Sequence, residues 1–353
     1  MKVEELRVIR AVMPRTDPQW RTASYAASTV EGLLIEVRAD GAIGIGGTIA
    51  RPKGVPADDL EQELTQVVRP RLVGSDAFAR TSTIQALRDT GVHQSLISAV
   101  DIALHDLLGH AANLPCYALW GGPVRSSLAV VRMVGIKPVA DLVPAVADMM
   151  EDGFTHFKIK LGTGVSEDEE RIRALRSTFG PNVWLGIDGN GAYSVDDAIA
   201  LSRALAPYDV RLVEQPIDYR DLDGLVRLTA ASPIPIMADQ YVTSTKAALD
   251  VCQRQAAHAV SIKVGQTGTI DECRAIAQMC LAAGVRVHIG GTAHPSVIDA
   301  AHTHLAMAVP GIDEQCEVGE CLAVRDDPTS GLIFENGRCR ASDSPGLGIS
   351  LST

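Results

Sequence analysis

The chain has 353 residues, is 46% hydrophobic but only 4% aromatic, and carries a net charge of −11. This length suits one large domain plus a smaller one with an aliphatic core, and an acidic balance without a basic stripe argues against nucleic acid as a partner. No apolar run approaches the ~20 residues of a membrane span, and seven cysteines without CxxC spacing point to reduced thiols and a cytoplasmic protein.

The first 55 residues carry β signals. MKVEELRVIRAVMP alternates polar and apolar residues, which suits a strand and not a cleaved leader. TVEGLLIEVRADGAIGIGGT predicts a hairpin turning at Asp40-Gly41. Pro14–Ser28, with Trp20 and Tyr25, is expected to be a loop. Residues 57–120 are expected to be helical. In QSLISAVDIALHDLLGHAANLP, Leu96, Val100, Leu104, Leu107 and Leu108 recur at helical spacing, and Asn113 and Pro115 end the run. Gly121-Gly122-Pro123 marks a boundary, giving an N-terminal domain over 1–125.

From residue 126 strands alternate with helices. The strand segments are LAVVRMVG, FTHFKIK, VWLGID, VRLVE, IPIMAD, AVSIK, VRVHIGG and EQCEVGE. Eight such units predict an α/β fold, either a closed (β/α)8 barrel or a doubly wound sheet. Ionisable groups at the ends of five successive strands favour the barrel, because a doubly wound sheet gathers its site at one switch point. The barrel domain is placed at 126–320. The remaining 321–353 loses the rhythm and is expected to pack on the N-terminal domain.

Those ionisable groups are Lys158 and Lys160, Asp188, Glu214, Asp239 and Lys263, with steps of 28, 26, 25 and 24 residues from Lys160 onward. Each alone has an ordinary explanation. Asp-Gly-Asn is a turn signal, and Glu214 or Asp239 could cap a helix. Converging carboxylates, however, repel and need a counter-ion, and hard oxygens on rigid strands suit Mg²⁺, with Mn²⁺ as an alternative. Lys158 and Lys160 share a strand face. On an eight-stranded barrel their strand is the second and that of Lys263 the sixth, so a substrate at the metal would have a lysine on each face. A lysine base needs a depressed pKa, expected here from its neighbouring cations and burial. Three carboxylates, one Mg²⁺ and three lysines with one neutral sum to about +1, which suits a monoanionic carboxylate. Proton loss α to that carboxylate would give an enediolate stabilised by the metal.

At this point the chain resembles the enolase superfamily. SAVDIALHDLLGHAANLPCYALWGG is similar to the family's capping-domain helix, KIK, DGN, EQP, ADQ and IKVG to its strand-end motifs, and SPGLGI to its closing segment. The resemblance implies a TIM-like barrel with an α+β capping domain formed by the N-terminal segment and the C-terminal tail. It implies Asp188, Glu214 and Asp239 as Mg²⁺ ligands, Lys160 and Lys263 as the acid/base pair, Lys158 on the substrate carboxylate, and Asn190 at the substrate or behind a ligand. Lysines on both strands resemble the muconate-lactonizing branch. The mandelate-type branch uses a His on strand seven supported by an Asp on strand six. His288 has no such partner in AAHAVSI and is expected to be structural, as are His156, His294, His302 and His304. The implied reaction is racemisation or epimerisation of an amino-acid derivative or related carboxylate. Muconate-type cycloisomerisation and dehydration of a β-hydroxy carboxylate are the alternatives, and family members are usually homo-oligomers.

Two departures stand out. Dipeptide epimerases of this family hold an ammonium with an Asp-x-Asp pair at strand eight, where this chain has Cys316-Glu317-Val318-Gly319-Glu320. Gln240 follows Asp239 where relatives often have Glu. Specificity is expected in Pro14–Ser28, with Trp20 as a lid or an exposed interface residue, in Thr48–Lys53, and at the end of strand eight.

Overall fold

The structure is a computed structural model describing residues 1–52 and 54–352, so Lys53 lies outside the described residues. Three antiparallel strands open the chain: β1 (Val3–Pro14), β2 (Thr29–Ala39) and β3 (Ala42–Ala50). The β2–β3 turn pairs Ala39 with Ala42, and Asp40 and Gly41 both take positive φ, 48° and 79°. Strand β2 is buried on both faces. Its Leu33, Ile35 and Val37 enter a cluster with the N-terminal helices, while Val30 and Leu34 join the large core below, as the two-residue side-chain period dictates.

The helix Gln94–Ala112 lies directly on β3. A Cβ at Gly44 would come within 2.0 Å of Ala103 O, and one at Gly46 within 2.0 Å of Ala99 O. Only glycine permits this approach. Asn113 ends the helix in the left-handed conformation. Two buried acids fasten it on either side. Asp101 accepts from Ile270 N at 2.8 Å and pairs with Arg80 at 2.6 Å. Asp106 accepts from Ile45 N at 2.7 Å and Leu347 N at 2.6 Å.

The second region alternates strand and helix: β4 (Leu128–Val134), β5 (His156–Lys160), β6 (Trp184–Asp188), β7 (Val210–Glu214), β8 (Ile236–Ala238), β9 (Ala259–Ile262), β10 (Arg286–Ile289) and β11 (Gln315–Cys316). Each pairs in parallel with the next from β4 to β10, and β11 pairs in parallel with β4. The chain flanking β11 also bonds to β10, through Asp313 N to Val287 O at 2.7 Å and Glu317 N to Ile289 O at 2.9 Å. The C-terminal tail divides. Strands β12 (Thr329–Ser330) and β15 (Ser350–Leu351) pair with each other, and β13 (Ile333–Glu335) and β14 (Arg338–Arg340) form a hairpin whose β14 pairs with β4. Gly346 and Leu347 instead reach the N-terminal region at Cys116 and Asp106.

No helix among the described residues is long and apolar enough to cross a membrane. All seven cysteines are free thiols.

Burial pushes His105, His302 and His304 down to about 4, about 3 and about 4. Unfolded histidine titrates near ~6.5, so between that pH and the folded value the unfolded chain binds more protons. The stability these groups contribute is therefore present at pH 7 and lost on acidification. His304 accepts from Tyr117 N at 3.1 Å and faces Leu347 O at 3.2 Å. Urea unfolding of His304→Gln should lose about 2 kcal/mol less than wild type between pH 7 and pH 5; an equal loss would exclude His304 as a contributor.

Candidate active site

The strand ends converge as the ladder requires. Lys158 and Lys160 lie on β5, Lys160 is paired with Asp188 across β6, and Asp188 with Glu214 across β7. Asp239 follows β8 by one residue and Lys263 follows β9 by one. All six line one cavity of about 150 Å³ with Trp20, Tyr25, Arg51 and Asn190. All are buried, Glu214 completely.

Every ammonium has a carboxylate. Lys158 Nζ lies 2.5 Å from Glu214 Oε2, 3.7 Å from Asp188 Oδ2 and against Glu317 Oε1. Lys160 Nζ donates to Asp188 Oδ2 at 2.5 Å, and Lys263 Nζ to Asp239 Oδ1. This corrects the expectation of depressed lysine pKa values. Burial and the neighbouring Lys158 oppose the charge on Lys160, yet Asp188, Glu214 and Glu317 together override them and the net shift is upward. Lys158 likewise rises because Glu214, Glu317 and Asp188 outweigh its desolvation. Asp239 is lowered because Lys263 outweighs its burial.

Glu317 stands where the Asp-x-Asp pair is missing. It is fully buried and meets Lys158, His288 Nε2 at 3.2 Å and Gly291 N at 2.6 Å. His288 thus has a carboxylate partner, supplied by the eighth strand. The ladder's own interval could have found both, since Lys263, His288 and Glu317 continue it with steps of 25 and 29 residues. Glu317 also changes the charge sum: a fourth carboxylate lowers the expected +1 to about zero.

Backbone ties fix the acids. Asn190, at φ 46°, gives its N–H to Asp188 Oδ1 at 2.8 Å and its amide to Oδ2 at 3.2 Å. Gln215, at φ 32°, accepts from Asp239 N at 2.9 Å and donates to Ile217 O at 3.0 Å, linking the ends of β7 and β8. Gln266 donates to Asp239 O at 2.8 Å.

The three carboxylates fit a hard divalent cation. Glu214 Oε1 is buried and without a hydrogen-bond partner among the described residues. Burial, with Asp188, Asp239 and Glu317 nearby and Lys158 opposing, pushes Glu214 up to about 8. A carboxylate so disfavoured as an anion is where a cation would be most effective.

The 14–28 loop is pinned across the mouth. Ile136 N donates to Arg21 O at 2.9 Å, and Lys137 pairs with Asp17 at 2.8 Å. Trp20 is 5% exposed, under the Arg15 guanidinium and against Tyr25, so it is a wall residue and not an exposed aromatic. Of the Thr48–Lys53 segment, Arg51 and Pro52 line the cavity.

Residues 4–121 match the family described as "Mandelate racemase / muconate lactonizing enzyme, N-terminal domain", and residues 141–353 match "Enolase C-terminal domain-like". The chain is 29% identical over 358 residues to the L-Ala-D/L-Glu epimerase of Clostridium acetobutylicum, covering 99% of each. Its fold is similar, with a TM-score of 0.94 and 26% identity, to the dipeptide epimerase of Enterococcus faecalis V583 complexed with Mg and dipeptide L-Leu-L-Tyr, covering 99% of this chain and 100% of that one. It is equally similar, at a TM-score of 0.94 and 25% identity, to the muconate lactonizing enzyme of Pseudomonas fluorescens complexed with muconolactone, covering 99% and 96%.

Proposed function

The chain belongs to the mandelate racemase and muconate lactonizing enzyme family of the enolase superfamily, and from that premise we propose that this isomerase is a Mg²⁺-dependent racemase or epimerase of an amino-acid derivative. Its substrate is a small carboxylate whose α-proton is removed on one face and returned on the other. One observation carries the reading: a cavity with three carboxylates at successive strand ends and a buried lysine on either flank.

In this reading the eight parallel strands close into a barrel, supported by β11 bonding to β4 while its flanking residues bond to β10. Lys160 and Lys263 then stand on opposite sides. Asp188, Glu214 and Asp239 would hold Mg²⁺, which when bound supplies Lewis-acid stabilisation of the negative charge that develops as the α-proton leaves. Lys160 takes or returns the proton on one face and Lys263 on the other. Asp188 and Asp239, which pair with Lys160 and Lys263, are also the cation's proposed ligands, so each would be shared between a cation and an ammonium. Lys158, steadied by Glu317, positions the substrate carboxylate, and Asn190 orients Asp188. The free thiols support a cytoplasmic setting. Assembly into a homo-oligomer belongs to the same proposal, to be tested by light scattering.

The test is deuterium wash-in at Cα from D₂O with Mg²⁺, followed by NMR over both enantiomers of N-acyl amino acids and dipeptides. Exchange with loss of chirality is expected; retention of the α-proton in every member would sink the proposal. Likeness to a muconate lactonizing enzyme favours cycloisomerisation as a second reading, for which an unsaturated diacid should yield a lactone.

Gly290 offers a subtler check. A Cβ there would lie 2.2 Å from Ser261 Oγ and 2.7 Å from Lys263 Cε. Gly290→Ala should therefore displace Lys263 and slow exchange on its face more than on that of Lys160. Equal slowing of both faces would contradict this.

A further inference from the structure

The helices that follow β8 and β9, Thr245–Arg254 and Ile270–Ala283, pack against each other. Each carries a cysteine in its last turn, Cys252 and Cys280. Those helix ends lead into the starts of β9 and β10, so both sulfurs lie away from the strand ends where Asp239 and Lys263 stand. Cys252 Sγ and Cys280 Sγ are 3.7 Å apart. No other two thiols make such a contact among the described residues. Cys116, Cys273, Cys316 and Cys339 are fully buried, and the sulfur of each meets an oxygen: His105 O at 3.5 Å, Thr267 Oγ1 at 2.9 Å, Asp313 O at 3.3 Å and Thr303 Oγ1 at 3.6 Å. Cys321 is buried as well. Cys252 differs from all six in being only half-buried, open to a small solute. Burial raises the Cys280 thiol, and Cys252 beside it adds to the rise, so Cys252 is the sulfur that an oxidant meets first.

We propose that Cys252 and Cys280 form a modification site, a disulfide that closes under hydrogen peroxide and reopens under a dithiol. The Cys252 thiolate attacks one peroxide oxygen, the O–O bond breaks, and a sulfenic acid forms as hydroxide leaves with the proton that Cys252 gave up. The Cys280 sulfur then attacks the sulfenic sulfur. The S–S bond forms, the S–O bond breaks, and the departing hydroxide takes the Cys280 proton. Two thiols are oxidised and one peroxide is reduced to two waters. Closing the bond brings the sulfurs from 3.7 Å to ~2.05 Å, a movement within reach of side-chain rotation between helices already packed together. The bond spans 28 residues of chain, which include β9 and Lys263. It restricts the unfolded chain and leaves the strand-end acids and lysines in place, so its effect is on stability. In a reducing compartment the pair rests as two thiols, and an oxidative challenge converts it. The bond is independent of the proposed reaction, and its test needs no substrate.

The full chain is treated with hydrogen peroxide, and one portion is then reduced with dithiothreitol. Non-reducing peptide mapping, with free thiols alkylated, should find Cys252 joined to Cys280. The joined form should melt several degrees above the reduced form, and dithiothreitol should return both readouts to those of untreated protein. In Cys280→Ser, peroxide should leave Cys252 as a sulfenic acid, trapped by dimedone, with no rise in melting temperature. Cys252→Ser should give neither the linked peptide nor the rise. Absence of the linked peptide in the wild-type chain overturns the inference without recourse to either variant. A linked form that melts no higher than the reduced one, or an equal rise in wild type and Cys280→Ser, overturns the role of the bond in stability.

Discussion

Lys160→Ala and Lys263→Ala should each abolish racemisation while sparing hydrogen exchange in one enantiomer, and the spared enantiomer should differ between them. The prediction follows from position. Lys160 ends the second of the eight parallel strands and Lys263 follows the sixth, so in the proposed barrel each would reach one face of a carbon held at Asp188, Glu214 and Asp239. With one lysine gone, the other can still remove its proton and return deuterium to the same side. The blocked face should slow by ~10²–10⁴, the usual contribution of a positioned acid or base. Stability must be controlled, because the losses are unequal. Removing Lys160 leaves Asp188 with Lys158 at 3.7 Å and the Asn190 donors. Removing Lys263 takes the ion-pair partner from the Asp239 carboxylate, so both variants should be compared with Mg²⁺ present. NMR wash-in starting from each pure enantiomer decides the matter. Equal slowing of both enantiomers by either substitution would assign the two lysines to one face and refute the two-sided arrangement.

Much of this site is legible in the sequence because each βα unit has nearly the same length, so a strand-end role recurs as an interval. The interval locates Lys160, Asp188, Glu214, Asp239 and Lys263, and the structure brings these five to one cavity. It would have reached Glu317 too, had the count continued past Lys263. Local chemistry gave the Asp40-Gly41 turn and the Asn113 helix end, since both rest on φ values that few residues adopt. Loop residues are a different case. Trp20, Tyr25 and Arg51 lie in the two N-terminal segments where specificity was expected, but which of their side chains reach the cavity depends on how that region docks, which no local pattern encodes. The lysine protonation states also escaped sequence reasoning. Burial and a like-charged neighbour suggested depression, but the outcome depends on which carboxylate lies within 2.5 Å, as Asp188 does for Lys160.

That electrostatic arrangement leads to the second large effect. Among the six buried site residues and Glu317, four carboxylates face three ammoniums, and Glu214 is the acid whose ionisation is most opposed: burial and the other acids push it up to about 8. Glu214→Gln removes one surplus negative charge while keeping the shape. Without metal, the variant should melt at or above the wild-type temperature. With MgCl₂ the order should reverse. Wild type should gain on the order of 2–3 kcal/mol of stability at a hundredfold excess over Kd, seen as a rise of several degrees, whereas the variant should gain almost none. Exchange activity should vanish with the metal response. Thermal melts with and without MgCl₂ separate this from a packing defect, which would lower the metal-free melting temperature first. If the variant kept the full Mg²⁺ response, Glu214 would not be a ligand, and its partnerless Oε1 would need another explanation. The same residue would thus oppose folding when metal-free and hold the cation once it binds, so stability given up in the empty site would be the condition for function in the filled one.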